Sequence, residues 1–164
     1  MKHAFHHDLA FSTPDQTTAF AAALANQLVP GDVILLSGGI GAGKTHFARA
    51  VIQARLAAQG LAEDVPSPTF TLVQTYDDTI CEIWHSDLYR LTHPDEVEEL
   101  GLIDAFETAI CLVEWPDRLG ELLPQTALLL EFSTGEASET PDLRHVRISG
   151  PAEQWEARIQ KALP

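Results

Sequence analysis

Lysine is scarce in this 164-residue chain: Lys2, Lys44 and Lys161 are the only three. Asparagine occurs once, at Asn26, and methionine once. Basic residues number 10 against 24 acidic ones, a formal net charge of −14. Such a surface repels phosphate backbones and anionic membranes, which argues against strong, unaided binding of nucleic acid. No apolar run approaches the roughly 20 residues needed to cross a bilayer. The first residues, Met1-Lys2-His3-Ala4-Phe5-His6-His7-Asp8, contain no apolar signal core, so no membrane or export role is expected. The two cysteines, Cys81 and Cys111, each sit in an apolar stretch, which suits buried free thiols and a cytoplasmic location.

The chain does carry a mixture of helical and strand signals at a length that favours a single domain, residues 1–164. Residues 1–11 read as a mobile tail or an edge segment, and His3, His6 and His7 as part of it rather than as metal ligands. Ser12-Thr13-Pro14-Asp15 has a capping hydroxyl followed by proline, the start of an Ala-rich helix running to Leu28. Val33-Ile34-Leu35-Leu36 is a buried-strand run, and Lys44 to Gln59 a helix ended by Gly60. Strands are expected over Thr69–Tyr76 and Ile80–Ser86, joined at Asp77-Asp78, and over Ile110–Val113, Thr126–Ser133 and His145–Ser149. A short acidic helix is expected over Pro94–Leu100, a loop over Thr134–Asp142 and a closing helix over Gln154–Leu163. Alternation of this kind implies an α/β fold, a P-loop NTPase-like mixed sheet flanked by helices.

Between the first buried strand and its helix lies Gly38-Gly39-Ile40-Gly41-Ala42-Gly43-Lys44-Thr45, a full match to G-x-x-x-x-G-K-[ST]. Glycines at this spacing let successive backbone N–H groups turn inward as an anion nest, and the following helix adds its positive end. Lys44, the single lysine away from the termini, can reach β- and γ-phosphates, and the Thr45 hydroxyl can ligate Mg²⁺. Gly39, Ile40, Gly41, Ala42, Gly43, Lys44 and Thr45 are therefore candidate nucleotide contacts. His46, next in line, is either a further contact or a helix-surface histidine, and Thr13 is a candidate on the adenine side.

A phosphate loop also requires a carboxylate at the end of a neighbouring strand to hold Mg²⁺. Glu114 closes the apolar run Ile110–Val113, whereas Asp87 closes Cys81–Ser86, which alternates and reads as half exposed. A central parallel strand is apolar throughout, so Glu114 is assigned to the metal together with Thr45. Asp87 becomes the group that orients or deprotonates the attacking nucleophile, or else a helix cap or ion-pair partner of Arg90. Trp115 follows the metal carboxylate and is expected to line the nucleotide pocket. The single asparagine precedes the loop, so the N-K-x-D guanine motif is absent, and the arginines form no lid cluster; ATP is the expected nucleotide.

Four blocks in order, Ser37 to Thr45, Ser67-Pro68-Thr69-Phe70-Thr71-Leu72-Val73, His85-Ser86-Asp87-Leu88-Tyr89-Arg90-Leu91 and Val113-Glu114-Trp115-Pro116-Asp117-Arg118, resemble the TsaE (YjeE) family over roughly Ser12 to Ser149. The resemblance implies an ATPase subunit of bacterial tRNA threonylcarbamoyladenosine biosynthesis, binding ATP and Mg²⁺ and working with TsaD and TsaB. It implies that Lys44 and Thr45 serve phosphate and metal, that Glu114 ligates Mg²⁺, that Thr69 lies in a switch-like segment, and that Asp87 supports hydrolysis. The catalytic set so implied is Asp87, Lys44 and Thr69. Two positions depart from the family pattern: Gly38-Gly39-Ile40 stands where Gly-Asp-Leu is usual, and His46 where threonine is usual. Neither removes a phosphate donor, because those are backbone groups and Lys44. A stand-alone small-molecule kinase and a nucleotide-gated interaction module are the competing functions. The kinase would need an arginine cluster and no partner, and the module would bind partners with hydrolysis blocked.

Overall fold

The computed structural model describes residues 4–134 and 141–164. Seven strands form one mixed sheet in the order β1-β7-β6-β2-β5-β4-β3, with β1 at Ala4–Phe11, β2 at Val33–Gly38, β3 at Val73–Asp77, β4 at Glu82–Asp87, β5 at Ile110–Glu114, β6 at Leu128–Thr134 and β7 at Arg144–Pro151. The helices are α1 (Pro14–Ala25), α2 (Lys44–Ala58), α3 (Asp95–Glu99), α4 (Leu102–Thr108) and α5 (Ala152–Ala162), with 3₁₀ turns over Pro116–Leu122. Among the described residues no helix is long and apolar enough to cross a membrane.

The centre of the sheet is parallel: β2 pairs with β5 and β6, and β5 with β4. Parallel strands covered on both faces read as continuous apolar runs. Accordingly Val33 to Leu36 and Ile110 to Val113 are all buried. Their side chains alternate between two cores. Ile34, Leu36, Ile110 and Leu112 pack beneath α1, α2 and α5 with Phe20, Phe47 and Trp155, whereas Val33, Leu35, Cys111 and Val113 face Val97, Leu102 and Leu119. Glu114 continues the even face, so it points to the α2 side (period two from Leu112).

Helix α1 starts where the sequence places it. Thr13 occupies the N-cap, its hydroxyl accepting the Gln16 N–H at 3.3 Å, and Pro14 opens the first turn. Two partly buried clamps fasten the layers. Arg55 on α2 donates to Asp78 in the β3–β4 turn at 2.7 Å and to the Ala25 and Leu28 carbonyls at the end of α1. Arg158 on α5 donates to Asp32 at 2.6 Å and to the Gln27 carbonyl, and it lies over Trp155 at 3.9 Å.

Of the two readings of the N-terminal residues, the edge segment holds: Ala4–Phe11 is the edge strand β1, antiparallel to β7 across eight residue pairs, with His6 and His7 within it. Two expectations need correction. The strand expected over Thr69–Tyr76 begins only at Val73, because the Leu72 N–H bonds the Pro68 carbonyl at 2.7 Å and Leu72 turns left-handed (φ 69°). β4 is not half exposed: it lies between β3 and β5, and His85, Ser86 and Asp87 are buried. Helix α4 has no counterpart in the sequence reading; Leu102 and Ala105 anchor it in the core beneath β5. Of the loop expected over Thr134–Asp142, residues 135–140 lie outside the described residues.

Candidate active site

The carboxyl ends of three adjacent parallel strands converge on one place. Register pairs Leu36 of β2 with Glu114 of β5, and Glu114 with Asp87 of β4. Ligand sites of open α/β sheets lie outside these ends. The glycine loop leaves β2 here and enters α2 at Lys44. Gly38 has φ 143°, and a Cβ at this position would fall 2.5 Å from the Phe132 carbonyl oxygen, so only glycine lets the loop leave beside β6. Gly43, the N-cap of α2, has φ 112° and presses toward the Phe132 ring.

Lys44 is buried at 4% exposure, and its Nζ donates to the Gly38 carbonyl at 2.6 Å and lies 3.6 Å from the centre of the Trp115 ring. Burial pushes its ammonium below the ordinary lysine range, with Glu114, Asp87 and Asp117 pulling the other way. The Thr45 hydroxyl donates to Glu114 Oε1 at 2.8 Å. Glu114 Oε2 is met by His85 Nε2 at 2.7 Å. Asp87 accepts the Tyr89 N–H at 3.0 Å on Oδ1 and the Thr69 hydroxyl at 3.3 Å on Oδ2, and Thr69 is linked to Ser67 Oγ at 2.7 Å. The Asp87 N–H itself donates to the carbonyl of the left-handed Leu72. The segment 67–72 is therefore fastened to Asp87 through both side chain and backbone. Trp115 is also left-handed (φ 60°), a conformation that costs a non-glycine residue on the order of 1–3 kcal/mol and here sets its ring between Lys44 and Tyr89, whose ring centre is 4.7 Å away.

These groups open onto a cavity of about 480 Å³. Of the candidates from the sequence, Ile40, Gly41, Gly43, Lys44, Thr45, His46, Thr69, Asp87, Glu114 and Trp115 line it. Gly39 and Ala42 belong to the loop, where the Ala42 N–H bonds the Gly39 carbonyl, but they are not among its walls. Thr13 is not a wall either: its hydroxyl is used in capping α1, and the neighbouring Pro14 and Thr17 face the cavity instead. His46 is more than a surface histidine, since its Nε2 lies 3.0 Å from Thr18 Oγ1 and 3.2 Å from the Pro14 carbonyl, tying the first turn of α2 to α1. Among the described residues Asp87 bonds no arginine, and its local partner is the Tyr89 N–H.

Sequence reasoning missed His85, Tyr89, Phe132, Asp142 and Arg144. His85 was within reach, because in a strand it shares a face with Asp87 two residues on. Arg144, whose guanidinium lies 3.4 Å from the Gly41 carbonyl, comes from the far end of the chain and carried no local signal.

Fold and site together define a P-loop-type α/β protein. The family model for "Threonylcarbamoyl adenosine biosynthesis protein TsaE" matches residues 11–143. The chain is 41% identical over 113 residues to tRNA threonylcarbamoyladenosine biosynthesis protein TsaE of Rickettsia bellii, covering 69% of this chain and 76% of that one. It is 40% identical over 116 residues to the Bacillus subtilis protein of the same name, 70% of each chain. The crystal structure of Bacillus subtilis YdiB superposes with a TM-score of 0.78 at 26% identity, covering 99% of this chain and 97% of that one. The chain belongs to the TsaE family.

Proposed function

We propose that this protein is a Mg²⁺-dependent ATPase of the cytoplasm that acts in forming threonylcarbamoyladenosine on tRNA, in concert with TsaD and TsaB. One observation carries the reading: Lys44, Thr45, Glu114 and Asp87 stand together at the ends of three adjacent parallel strands, behind a glycine loop. The pathway follows from the family, and the chemistry from this arrangement.

The donor set fits Mg²⁺. Thr45 and Glu114 present hard oxygens already in contact at 2.8 Å. Among the described residues no three His, Cys, Asp or Glu side chains form a metal cage. Mg²⁺ needs none, because it is commonly held by one or two protein oxygens plus substrate phosphates and water. Bound there, it supplies positive charge against the β- and γ-phosphate oxygens. The backbone of the glycine loop would cradle the phosphates, and Lys44 would exchange the Gly38 carbonyl for a phosphate oxygen. Asp87 would orient the attacking water, with Thr69 setting the carboxylate. The switch-like segment 67–72 is coupled to that carboxylate by the bonds already named, so a partner that orders the segment also aligns the nucleophile.

Among the described residues Arg144 is the arginine that lines the cavity, and its guanidinium is already engaged by the Gly41, Pro141 and Leu143 carbonyls, so the isolated chain should turn over slowly. An arginine finger is worth about 10³–10⁵ in rate. The deciding measurement is steady-state ATP turnover by the chain alone and with TsaD and TsaB of the same organism. Turnover stimulated by the partners is expected. Turnover alone near the roughly 10 s⁻¹ typical of self-sufficient enzymes, indifferent to partners, would favour a stand-alone enzyme.

A further inference from the structure

We propose that His85 is a positioning residue that pins one oxygen of Glu114 and thereby sets the site's preference for Mg²⁺ over Ca²⁺. The inference rests on the Mg-nucleotide reading above. His85 is fully buried at 0% exposure. Its Nε2 is 2.7 Å from Glu114 Oε2, and its Nδ1 is buried with no partner. A carboxylate only accepts hydrogen bonds, so Nε2 carries the proton and donates. An apolar residue would fill this position at lower cost: Ile83, two residues earlier on the same face of β4, is also 0% exposed. An orphaned ring nitrogen in the core is unfavourable. What the imidazole provides in return is the single bond to Glu114.

That bond divides the carboxylate. Oε2 is held by His85 and Oε1 faces the Thr45 hydroxyl, so the group cannot rotate without breaking one of two short bonds. A carboxylate so pinned offers one oxygen beside Thr45. Mg²⁺ accepts such a ligand in its tight octahedral shell, whereas Ca²⁺, with six to eight ligands, gains from a carboxylate free to bind through both oxygens. Partners behind a metal ligand typically change metal affinity by about 10–100-fold when removed.

The test is calorimetric titration of ADP in EDTA, in Mg²⁺ and in Ca²⁺, for the wild type, His85→Leu and His85→Gln. For His85→Leu the expected result is metal-free ADP affinity within about twofold of wild type, a Mg²⁺ requirement raised by about 10–100-fold, and a smaller change for Ca²⁺. In His85→Gln the side-chain amide can still donate and should recover part of the Mg²⁺ preference. Unchanged Mg²⁺ dependence, or an equal loss with and without metal, would overturn the proposal. Should the variants not fold, ¹⁵N-histidine NMR of the wild type decides: the His85 Nε2–H signal should move when Mg²⁺ joins ADP, and indifference to Mg²⁺ overturns the assignment. Failure of the wild type to bind Mg-ADP at all would instead strike the reading on which this rests.

Discussion

Replacing Lys44 by methionine separates what the site does for function from what it does for folding. The substitution keeps the length of the side chain and removes the charge. On the functional side it deletes a charge-assisted bond to phosphate, worth about 1.5–3 kcal/mol, which corresponds to roughly a 10–150-fold loss of ATP affinity. On the folding side the sign is opposite. Burial lowers the Lys44 pKa below its ordinary 10.5, with Glu114, Asp87 and Asp117 opposing, so the folded state disfavours the ammonium relative to the unfolded chain. A lysine whose folded pKa is depressed imposes a penalty that is fully present below the folded value. That penalty falls as pH rises through the folded pKa and is gone above 10.5, where both states are neutral. At neutral pH, Lys44→Met should therefore leave the melting temperature unchanged or raise it by a few degrees, about 2–4 °C per kcal/mol for a chain of this size. Calorimetric titration with Mg-ATP and a thermal melt at pH 7 and pH 10 provide both readings. Unchanged ATP affinity would refute the phosphate-loop assignment. A melting temperature lowered by more than about 4 °C would show that the bonds of Lys44 to Gly38 and Trp115 are structural supports, and the argument from burial would fall.

Glu114→Ala is expected to weaken Mg²⁺-dependent nucleotide binding, whereas Asp87→Ala leaves binding largely intact and slows hydrolysis at least about tenfold, because its role is realised in the transition state; the reverse pattern in parallel titrations and turnover assays would exchange the two roles. Arg55→Ala should destabilise the fold by about 3–5 kcal/mol by leaving Asp78 buried without its partner, read as a fall in the denaturation midpoint. Burial raises the Asp78 pKa, but the Cys81 N–H, Arg55 and the Ile80 N–H outweigh it and the net shift is downward; wild-type stability from this group is thus present above its ordinary 3.8 and is lost as pH falls through the lower folded value, which an acid titration followed by circular dichroism will show. Cys111, whose thiol is pushed up to about 12 by burial, should resist a thiol reagent at pH 8 until the protein is unfolded.

The sequence was legible where one interaction decides the local structure. The apolar runs of β2 and β5 could be assigned because each is covered on both faces, but the contrast this drew between Glu114 and Asp87 does not hold, since both are buried. It failed for β4, whose alternating N-terminal half was taken to describe the whole strand; the C-terminal half is buried by its neighbours β3 and β5, which no local pattern records. Thr69 to Leu72 has β-branched and aromatic residues that favour a strand, yet the Pro68–Leu72 bond and the left-handed Leu72 stop it, and the carbonyl of Leu72 is used by Asp87 instead. The edge strand β1 read equally as a tail, because its apolar residues Phe5, Leu9 and Phe11 are interrupted by His6, His7 and Asp8, and the pairing with β7 that fixes it leaves no local signal.

The buried polar positions also define the site. Lys44, His85, Asp87 and Glu114 are all at most 5% exposed, and each is a polar group where packing alone would favour an apolar one. Such groups are costly unless they are paired, and His85 retains an unpaired nitrogen even so. Trp115 in the cavity wall and Leu72, whose carbonyl is bonded by Asp87, add left-handed backbone. Local rules broken together, in one place, mark function rather than accident. The rest of the molecule supplies the stability that this concentration of polar groups lacks: the Phe20, Phe47 and Trp155 core beneath the helices, and the arginine clamps at Asp78 and Asp32 that tie α1, α2 and α5 to the sheet. Those clamps belong to the frame on the α1, α2 and α5 side of the sheet, whereas the segment 67–72 reaches the site through Ser67, Thr69 and Leu72 alone. On the proposed function, this division predicts that nucleotide binds to the chain alone, while hydrolysis responds to whatever sets the segment against Asp87.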